Sequence, residues 1–283
     1  MIIGVDLGGT NIRAGVEHRG NLLHPKRDLF NTRQSKDETL KQLMEFIRPL
    51  VKNDVRGIGI GVPSVVDVEK GIVFNVANIP SWDRVPLKDL LEDEFQIPVV
   101  VNNDVNCFAL GEHQFGVLAG LSNVVGISSG TGLGSGIIIN NQLVNGSNCG
   151  AGEIGLLSYR EHNIEYYASG NLFRVSYNTT GEQAYNLALA GNEEALGYWR
   201  EFGVHMAHAV KSAVFAYDPE AIVLGGSLSN AFPFFEPSML KALEDFPYPE
   251  SIRKLKIYQS KNPNITLLGA AALVSLYAPS VNA

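Results

Sequence analysis

The first part of the chain alternates short apolar runs with turn residues. Ile2–Val5 is an apolar run that ends at Asp6 and a pair of glycines, which predicts a buried strand followed by a tight turn. Ile12–Val16 predicts the returning strand, and Asn21–Arg27 predicts a third strand after the turn at Arg19-Gly20. We therefore expect a hairpin in this region, in place of a strand that leads directly into a helix.

Two longer segments have the spacing of amphipathic helices. Within Ser35–Lys52 the apolar residues recur every three or four positions, which places them on one helical face. These residues are Leu40, Leu43, Ile47 and Leu50. The same spacing runs through the longer segment Asn192–Tyr217. Its apolar positions are Ala195, Trp199, Phe202, Met206, Ala209 and Ala213.

The arrangement of strand, glycine-rich turn and strand occurs a second time. Val124–Ser128 predicts a strand, Ser129–Gly136 a glycine-rich turn and Ile137–Ile139 the returning strand. Two such units in one chain indicate that a single α/β module has been duplicated. The other predicted strands are Gly57–Val62, Pro98–Val101 and Ala221–Leu224, and the other predicted helices are Val105–Val117, Asn163–Ser176 and Thr266–Tyr277.

Composition and charge narrow the range of functions. The chain has 283 residues, 45% of them hydrophobic, and a net charge of −7, so it lacks the basic surface that nucleic acids or anionic membranes attract. Its longest apolar stretch, Leu267–Ala278, is shorter than the ~20 residues of a membrane-spanning helix. Cys107 and Cys149 are too few for a disulfide framework or a four-cysteine metal site. We expect a cytoplasmic protein with reduced thiols.

The first candidate for phosphate binding is the turn Asp6-Leu7-Gly8-Gly9-Thr10-Asn11. Its glycines expose backbone N–H groups, while Thr10 and Asn11 add side-chain hydrogen bonds. Asp6, at the end of the predicted strand, could hold Mg²⁺ through water. The alternative is an ordinary hairpin turn that follows an acidic residue.

The second candidate is the segment Ser128–Gly136, which intersperses glycines with hydroxyl residues and includes Gly130, Thr131 and Gly132. Such a segment can surround an anion with N–H donors. It lacks the lysine of a Walker loop, and a strand follows it where a dinucleotide-binding fingerprint has a helix. The alternative is a flexible glycine hairpin.

Three further groups of residues follow predicted strands or turns. Asp104, after Asn102-Asn103, suits a general base for a substrate hydroxyl, or alternatively the N-cap of the next helix. Glu153 and Glu165 could accept hydrogen bonds from sugar hydroxyls, or could be solvated carboxylates. Gly225-Gly226 could let a flat ring lie against the backbone, or could form an ordinary turn.

The order of these motifs resembles the ROK family of sugar kinases, which includes glucokinases and N-acetylmannosamine kinases and lies in the actin/hexokinase-like superfamily. The resemblance extends from Asp6 to about Gly269, and it is specific because all the motifs occur together. The motifs are Asp6-Leu7-Gly8-Gly9-Thr10, Gly61-Val62-Pro63-Ser64, Asn78-Ile79-Pro80-Ser81-Trp82, Asn102-Asn103-Asp104-Val105-Asn106, the second glycine segment, Ala151-Gly152-Glu153-Ile154-Gly155 and Leu224-Gly225-Gly226.

The resemblance implies an α/β fold with two ribonuclease-H-like domains around a cleft. The smaller N-terminal domain would comprise residues 1–107 with about 266–283, and the larger C-terminal domain residues 108–265. The implied activity is ATP-dependent phosphorylation of a hexose or N-acetylhexosamine at its 6-hydroxyl, with Mg²⁺. A homodimer or tetramer is expected, with no nucleic-acid or membrane partner.

Residue roles follow from the same resemblance. Asp104 would be the base that removes the proton from the sugar hydroxyl. The sugar pocket would be lined by Gly61, Asn78, Asn103, Glu153 and Glu165. The ATP phosphates would be held by Asp6, Gly8, Gly9, Thr10, Asn11, Gly130, Thr131 and Gly132, with Gly225 and Gly226 near the adenosine.

One segment departs from the family pattern. Many members follow Glu-Ile-Gly with a histidine that contacts the sugar and ligates a structural zinc, but Leu156 stands at that position here. The cysteine-rich run that supplies the other zinc ligands is replaced by Arg160–Glu165, which contains no cysteine. We expect no structural zinc, a surface position for His162 and a changed sugar specificity. The alternative to a kinase is a catalytically weak sugar-sensing or interaction protein that kept the fold.

Two other groups of residues receive structural interpretations. His205 and His208 lie three positions apart on the predicted long helix, and we expect partly buried or solvated side chains in place of a metal-binding pair. The run Phe232-Pro233-Phe234-Phe235 predicts either a part of the core or a dimer surface.

Overall fold

The structure is a computed structural model that describes residues 1–278. This part of the chain divides into two compact units. Unit 1 contains Met1–Ala119, Leu143–Ala151 and the segment that begins at Asn262, and unit 2 contains Gly120–Gln142 and Gly152–Lys261. Within residues 1–278, no helix is both long enough and apolar enough to cross a membrane.

The elements alternate along the chain as an α/β fold requires. The strands are β1 (Ile2–Leu7), β2 (Asn11–His18), β3 (Asn21–Leu29), β4 (Ile58–Val62), β5 (Val65–Asp67), β6 (Ile72–Phe74), β7 (Arg84–Pro86), β8 (Val99–Asn103), β9 (Val124–Ser129), β10 (Leu133–Ile139), β11 (Gln142–Leu143), β12 (Ser158–Tyr159), β13 (His162–Asn163), β14 (Ala221–Gly225) and β15 (Lys256–Gln259). The helices are α1 (Lys36–Ile47), α2 (Leu87–Phe95), α3 (Asp104–Phe115), α4 (Ile164–Tyr167), α5 (Gly170–Ser176), α6 (Gly181–Leu189), α7 (Glu193–Tyr217), α8 (Phe232–Leu243), α9 (Pro249–Lys254) and α10 (Ile265–Tyr277).

The main sheet of unit 1 has the strand order β3-β2-β1-β4-β8. β1, β2 and β3 form an antiparallel meander, and this confirms the predicted hairpin. β1, β4 and β8 run parallel, with Asp6 opposite Gly61 and Gly61 opposite Asn102. Because parallel strands end at the same edge of a sheet, the polar residues after these strands lie close together.

The main sheet of unit 2 repeats this plan in the order β11-β10-β9-β14-β15. β9 pairs with β10 as an antiparallel hairpin, and it pairs with β14 in parallel. Ser128 lies opposite Gly225, just as Asp6 lies opposite Gly61 in unit 1. The two sheets therefore agree with the predicted duplication of one module.

Helix α1 shows how local sequence sets the elements of unit 1. Ser35 and Glu38 form a capping box, with the Ser35 hydroxyl accepting from the Glu38 N–H and the Glu38 carboxylate accepting from the Ser35 N–H. Leu43 and Ile47, on the predicted apolar face, are fully buried. The helix ends at Ile47 and not at the predicted Lys52, because proline two residues later has no N–H to continue the hydrogen-bond ladder.

Other boundaries differ from the sequence-based prediction. The helix predicted at Asn163–Ser176 is two helices, because Ser169 breaks the ladder and caps α5 by accepting a hydrogen bond from the Asn171 N–H at 3.2 Å. The glycine-rich turn predicted at Ser129–Gly136 is shorter, because β10 begins at Leu133. The strand predicted at Pro98–Val101 continues to Asn103, because the ladder with β4 includes both asparagines.

The sequence did not predict the small sheet β5-β6-β7 of unit 1, nor helices α2, α6, α8 and α9 or strand β15. The strands of the small sheet are three residues long, which is too short to show a periodic pattern. In contrast, the long helix predicted near Asn192–Tyr217 is confirmed as α7. Phe232 and Phe235, on α8, are buried in unit 2 and belong to its core.

The first segment of unit 1 ends at Ala119, whereas the predicted domain boundary falls after residue 107. The whole of α3 belongs to unit 1 because it packs closely against α10: a β-carbon at Gly111 would lie 2.1 Å from the Ile265 carbonyl oxygen. The division into residues 1–107 with 266–283 and residues 108–265 stays a prediction about folding domains.

Candidate functional site

In unit 1, the predicted site residues lie at the carboxyl ends of three parallel strands. Asp6 is the last residue but one of β1. Gly61 lies opposite it on β4, and Asn102 lies opposite Gly61 on β8. Asp104 follows two residues later, and its Cα would lie 3.2 Å from a β-carbon at Gly61. The absence of a side chain at Gly61 therefore lets the start of α3 approach β4.

Asn103, and not Asp104, caps helix α3. The Asn103 Oδ1 atom accepts hydrogen bonds from the Val105 and Asn106 N–H groups at 2.8 and 3.3 Å. Asp104 is consequently the first helical residue, half-buried, with its Oδ1 accepting from the Val105 N–H at 2.9 Å. A carboxylate at this helix end is stabilised in its charged form by the helix dipole. The alternative that Asp104 is the N-cap is wrong, because Asn103 caps the helix.

Asp6 is fixed by an arginine that the sequence analysis did not identify. The Arg13 Nε and Nη2 atoms donate to the same oxygen, Oδ2 of Asp6, at 3.0 and 2.6 Å. Arg13 also donates to the Pro263 carbonyl at 2.8 Å. Arg13 lies across the hairpin from Asp6, so the register of β1 and β2 is the signal that reveals it.

The turn between β1 and β2 holds the predicted phosphate-binding residues of unit 1. Gly8 donates to the Asn11 carbonyl at 2.9 Å, and the Asn11 side chain donates to the Thr10 hydroxyl at 2.8 Å. Within residues 1–278, the N–H groups of Gly9 and Thr10 donate to no protein acceptor. Unpaired amides in a glycine turn fit the oxygens of a phosphate group. Asn78 adjoins this turn, since its Nδ2 would lie 2.8 Å from a β-carbon at Gly9.

In unit 2, Glu165 lies against the second glycine turn. Its Oε2 accepts from the Leu133 N–H at 2.8 Å, and it would lie 2.6 Å from a β-carbon at Gly132. The turn is closed by a hydrogen bond from the Gly130 N–H to the Gly132 carbonyl at 2.9 Å. In the described part of the chain, the N–H groups of Thr131 and Gly132 donate to no protein acceptor, which again fits phosphate. A predicted sugar residue and predicted phosphate residues thus meet in unit 2.

Glu153 follows a turn that is fixed on β10. Gly152 has a φ of +96°, and a β-carbon there would lie 2.1 Å from the Ser135 carbonyl oxygen. The Ser135 N–H and hydroxyl both donate to the Gly152 carbonyl, at 3.1 and 2.7 Å. The Glu153 side chain is exposed, but the surrounding protein removes part of its hydration, which raises its pKa, and repulsion by Glu165 adds to this effect.

The Gly225-Gly226 pair lies beside the same glycine turn of unit 2. Gly226 has a φ of +80°, and a β-carbon there would lie 2.2 Å from the Ser129 carbonyl oxygen. The Ser227 hydroxyl would lie 3.3 Å from a β-carbon at Gly130. The turn that follows β14 therefore packs directly on the turn that follows β9, and this brings the predicted adenosine residues next to the predicted phosphate residues.

The segment that departs from the family pattern forms an aromatic cluster. The Tyr159 hydroxyl is 3.1 Å from Nδ1 of the fully buried His205, and its ring stacks on His208 with centroids 4.0 Å apart. Tyr167, on the same short helix as Glu165, packs edge-on to Tyr159 at 5.5 Å. The Arg160 guanidinium lies 5.5 Å from each tyrosine ring.

This cluster attaches the helix of Glu165 to α7. His205 is more deeply buried than the sequence suggested, whereas His162 is exposed, as expected, and stacks on Tyr166 with centroids 3.9 Å apart. Leu156 is 59% exposed. Among residues 1–278, no three His, Cys, Asp or Glu side chains are grouped as metal ligands. The close spacing of His205 and His208 was the sequence signal for this cluster, in which both side chains pack against Tyr159.

Comparisons with known proteins identify the family. The model of the ROK family matches residues 2–276. A glucokinase from Streptomyces coelicolor is 32% identical over 266 residues, which cover 81% of this chain and 83% of that protein. An N-acetyl-D-glucosamine kinase from Pectobacterium atrosepticum is 31% identical over 292 residues, which cover 89% of this chain and 94% of that protein.

A solved structure has the same fold. The crystal structure of a ROK family glucokinase from Streptomyces griseus, in complex with glucose and AMPPNP, matches with a TM-score of 0.83 and 28% identity, over 96% of this chain and 98% of that one. The predicted α/β fold of the actin/hexokinase-like type is therefore confirmed. Since the family model also extends over nearly the whole length of the sequence, this chain belongs to the ROK family.

Proposed function

We propose that this protein transfers the terminal phosphoryl group of ATP to the 6-hydroxyl of a hexose or N-acetylhexosamine. The observation that carries the proposal is the start of α3, where Asn103 caps the helix and Asp104 is left at its first position beside the carboxyl end of β4. A carboxylate in this place can accept a proton from a hydroxyl group that attacks phosphorus. Membership of a family with sugar-kinase relatives supports the same reaction.

We assign the binding of the sugar to side chains with complementary hydrogen-bonding groups. The carboxylates of Glu153 and Glu165 would accept from sugar hydroxyls, as ionised acids do. The Asn103 amide would donate through its Nδ2, which is only weakly held by the Ser64 carbonyl at 3.4 Å. Asn78 is exposed and would supply a further amide, and Gly61 would let the start of α3 bring Asp104 to the edge of the sugar pocket.

We assign the binding of the ATP phosphates to the two glycine turns. The unpaired N–H groups of Gly9, Thr10, Thr131 and Gly132 fit phosphate oxygens, with Gly8, Asn11 and Gly130 completing the turns and Gly225 and Gly226 close to the adenosine. Asp6, held by Arg13, would orient a magnesium ion. When bound, that ion neutralises charge on the transferred group.

Asp104 would take the proton of the attacking hydroxyl while the turns keep the phosphoryl group in line with it. Positioning of this kind accounts for most of the catalysis in phosphoryl transfer, because the protein forms no covalent bond. Carboxylates that hold the sugar by its other hydroxyls would fix the angle of attack. This chain would therefore contribute the binding and orientation of both substrates and one proton transfer, at Asp104.

The experiment is an ADP-release assay with Mg²⁺-ATP against a panel of glucose, mannose, fructose, N-acetylglucosamine and N-acetylmannosamine. We expect release that depends on one or two of these sugars, and a ³¹P spectrum of a 6-phosphate. A 1-phosphate would contradict the proposed position, and binding of a sugar without ADP release would favour a sugar-sensing protein. The exposed Leu156 predicts that the preferred sugar differs from that of relatives with histidine there.

Two further parts of the proposal do not depend on the site. We propose a cytoplasmic location from the composition of the sequence, and a homodimer or tetramer from the family resemblance alone. Light scattering coupled to size-exclusion chromatography gives the oligomeric state directly, and a monomer at all concentrations would contradict that part.

A further inference from the structure

The segment Leu143–Ala151 belongs to unit 1, whereas the chain on both sides of it belongs to unit 2. It leads into the turn that carries Glu153, and it packs in unit 1 against the strand that leads to Asp104. Its attachment to that strand is made by side chains to which the proposed function gives no role. These are Asn145 and Cys149 on the segment and Asn102 and Asn106 on the strand and helix.

Asn102 is the centre of this attachment and is fully buried. Its Oδ1 accepts hydrogen bonds from the Asn103 N–H at 2.8 Å, from Asn106 Nδ2 at 2.9 Å and from the Cys149 thiol at 2.9 Å. Its Nδ2 donates to Asn145 Oδ1 at 3.0 Å. One side chain therefore connects the crossing segment to the backbone of Asn103, the residue that caps α3 and precedes Asp104.

Cys149 occupies a backbone conformation that favours glycine. Its φ is +60°, and the residue is buried, with only 3% of its surface exposed. A residue with a β-carbon is strained in the left-handed region, so glycine would suit the backbone better here. The contacts of the thiol offset this strain, and among them are a hydrogen bond that it donates to Asn102 Oδ1 and one that it accepts from Asn106 Nδ2 at 3.4 Å.

The network is not an optimised stabilising device. Asn106 Oδ1 is buried and has no partner among the described residues, and such an orphaned polar atom is unfavourable. A cluster of buried polar groups with an unsatisfied member is more consistent with a role in holding a particular geometry than with a gain in stability. The geometry it holds is the turn from β8 into α3.

We propose that Cys149 and Asn102 are positioning residues for the sugar-kinase reaction, and this rests on the proposed function. The thiol donates to Asn102 Oδ1 and so keeps the crossing segment against the end of β8. Asn102 in turn fixes the Asn103 N–H and the direction in which Asp104 leaves the strand. Loss of the thiol would leave Asp104 in place but less well aligned with the attacking hydroxyl.

The kinetic test compares Cys149→Gly and Cys149→Ser with wild type. In Cys149→Gly the backbone strain disappears and the donor is lost, so we expect an equal or higher Tm together with a kcat lower by about fivefold to tenfold and a sugar KM within about twofold. Cys149→Ser keeps a donor and should restore kcat to within about twofold of wild type. A purely structural thiol would instead give Cys149→Gly a kcat within about twofold of wild type, and this result would overturn the proposal.

Arg19→Gly is the matched control for the backbone effect. Arg19 also has a positive φ, of +53°, but it is exposed in the turn between β2 and β3. We expect this substitution to leave kcat unchanged. If kcat fell as much in Arg19→Gly as in Cys149→Gly, glycine in any turn of unit 1 would be enough to lower kcat. The loss of the thiol would then not be the cause, and the proposal would fail.

A second readout does not depend on catalysis. The rate at which Cys149 is alkylated in the native protein should rise by at least about tenfold in Asn102→Ala, because the crossing segment loses its anchor. Cys107 is the internal reference, because burial, reinforced by the Asp104 charge, raises its pKa well above the usual range. An unchanged rate at Cys149, in a variant whose circular dichroism matches wild type, would overturn the network itself. If no sugar supports ADP release while the alkylation result holds, the proposed function fails and the attachment of the segment stands.

Discussion

The two units use one sheet plan but place different chemistry at corresponding positions. In unit 1 the strand that starts the module carries Asp6 opposite Gly61, and in unit 2 the corresponding strand carries Ser128 opposite Gly225. The glycine on the neighbouring strand is present in both units, whereas the carboxylate is present in only one. The two units therefore share the glycine at this position and differ in the charge beside it.

The carboxylates of the two units are also held by different means. Asp6 is paired with the guanidinium of Arg13, and Asp104 lies at the positive end of α3. Glu165 is held by a backbone N–H of a glycine turn, and Glu153 has a raised pKa. Unit 1 thus places its carboxylates beside a guanidinium and a helix N-terminus, whereas unit 2 keeps its two acids close enough to repel each other. We infer that unit 1 is suited to proton transfer and magnesium, and unit 2 to accepting hydrogen bonds from hydroxyl groups.

After the loss of Asp104 itself, the largest effect is expected from Gly132→Ala in unit 2. The new β-carbon would lie 2.6 Å from the Glu165 carboxylate and would displace it from the Leu133 N–H. We expect kcat/KM for the sugar to fall by about 100-fold, because misplacement of a positioning group by about 1 Å has effects of this size. Steady-state kinetics gives the answer directly.

Gly197→Ala is the control for this substitution, because its β-carbon would meet nothing closer than Arg200 Nη2 at 3.7 Å. It lies within a helix, where alanine is preferred to glycine, so we expect unchanged kinetics and an equal or higher Tm. Wild-type kinetics for Gly132→Ala would show that Glu165 does not need its place in the turn.

A smaller effect is expected from Arg13→Lys in unit 1. Lysine keeps the positive charge near Asp6 but cannot make the two hydrogen bonds that Arg13 donates. We expect the KM for Mg²⁺-ATP to rise by about fivefold to tenfold with little change in the sugar KM, because only the orientation of Asp6 is altered. A change in the sugar KM alone would contradict the assignment of Asp6 to the phosphate side.

The pH profile should separate the two units further. The pKa of Glu153 is raised above the usual 4.5, mainly by desolvation and then by Glu165, so its carboxylate is protonated at a higher pH than an ordinary glutamate. As the pH falls toward this pKa, the ionised acceptor is lost, and kcat/KM for the sugar should fall. In Glu153→Gln the fall of kcat/KM at acidic pH should disappear. The plateau of kcat/KM should be lower than in wild type. A limb unchanged in Glu153→Gln would assign it to another group.

The smallest effect is expected on stability, at the aromatic cluster of unit 2. Desolvation, followed by repulsion from Arg160, lowers the pKa of His205 in the folded state below the unfolded value of 6.5. Below that value the unfolded chain binds more protons than the folded chain, so this stabilisation is present above pH 6.5 and is lost as the pH falls. The Tm should drop between about pH 7.5 and about pH 5.5, and the drop should be smaller in His205→Phe. An equal drop in both proteins would show that His205 does not carry the effect.

The sequence predicted those parts of the fold that come from strong apolar patterns and from glycine turns. Ile2–Val5 and Val124–Ser128 are apolar runs that end at turn residues, and both are strands that start a module. The site motifs also lie at strand ends, as their sequence context indicated. The exchange of roles between Asn103 and Asp104 was not predictable, because both residue types cap helices well and only the geometry shows which one does.

Other features arise from contacts between residues far apart in the sequence. Arg13 binds Asp6 only because the hairpin register places them opposite each other. Cys149 meets Asn102 only because the crossing segment returns to unit 1. The aromatic cluster joins Tyr159 to His205, on α7. No local pattern encodes such pairs, and the short strands of β5–β7 likewise depend on their tertiary neighbours.

The central claim, that Asp104 is the base of an ATP-dependent sugar kinase, is tested most directly by Asp104→Asn. The measurement pairs kcat with the Kd of the sugar from calorimetry, and Asp37→Asn, which changes an exposed aspartate in the first turn of α1, is the control. We predict that kcat falls by ~10³-fold in Asp104→Asn while the sugar Kd stays within about threefold, and that the control matches wild type. A kcat for Asp104→Asn within about tenfold of wild type would contradict the claim.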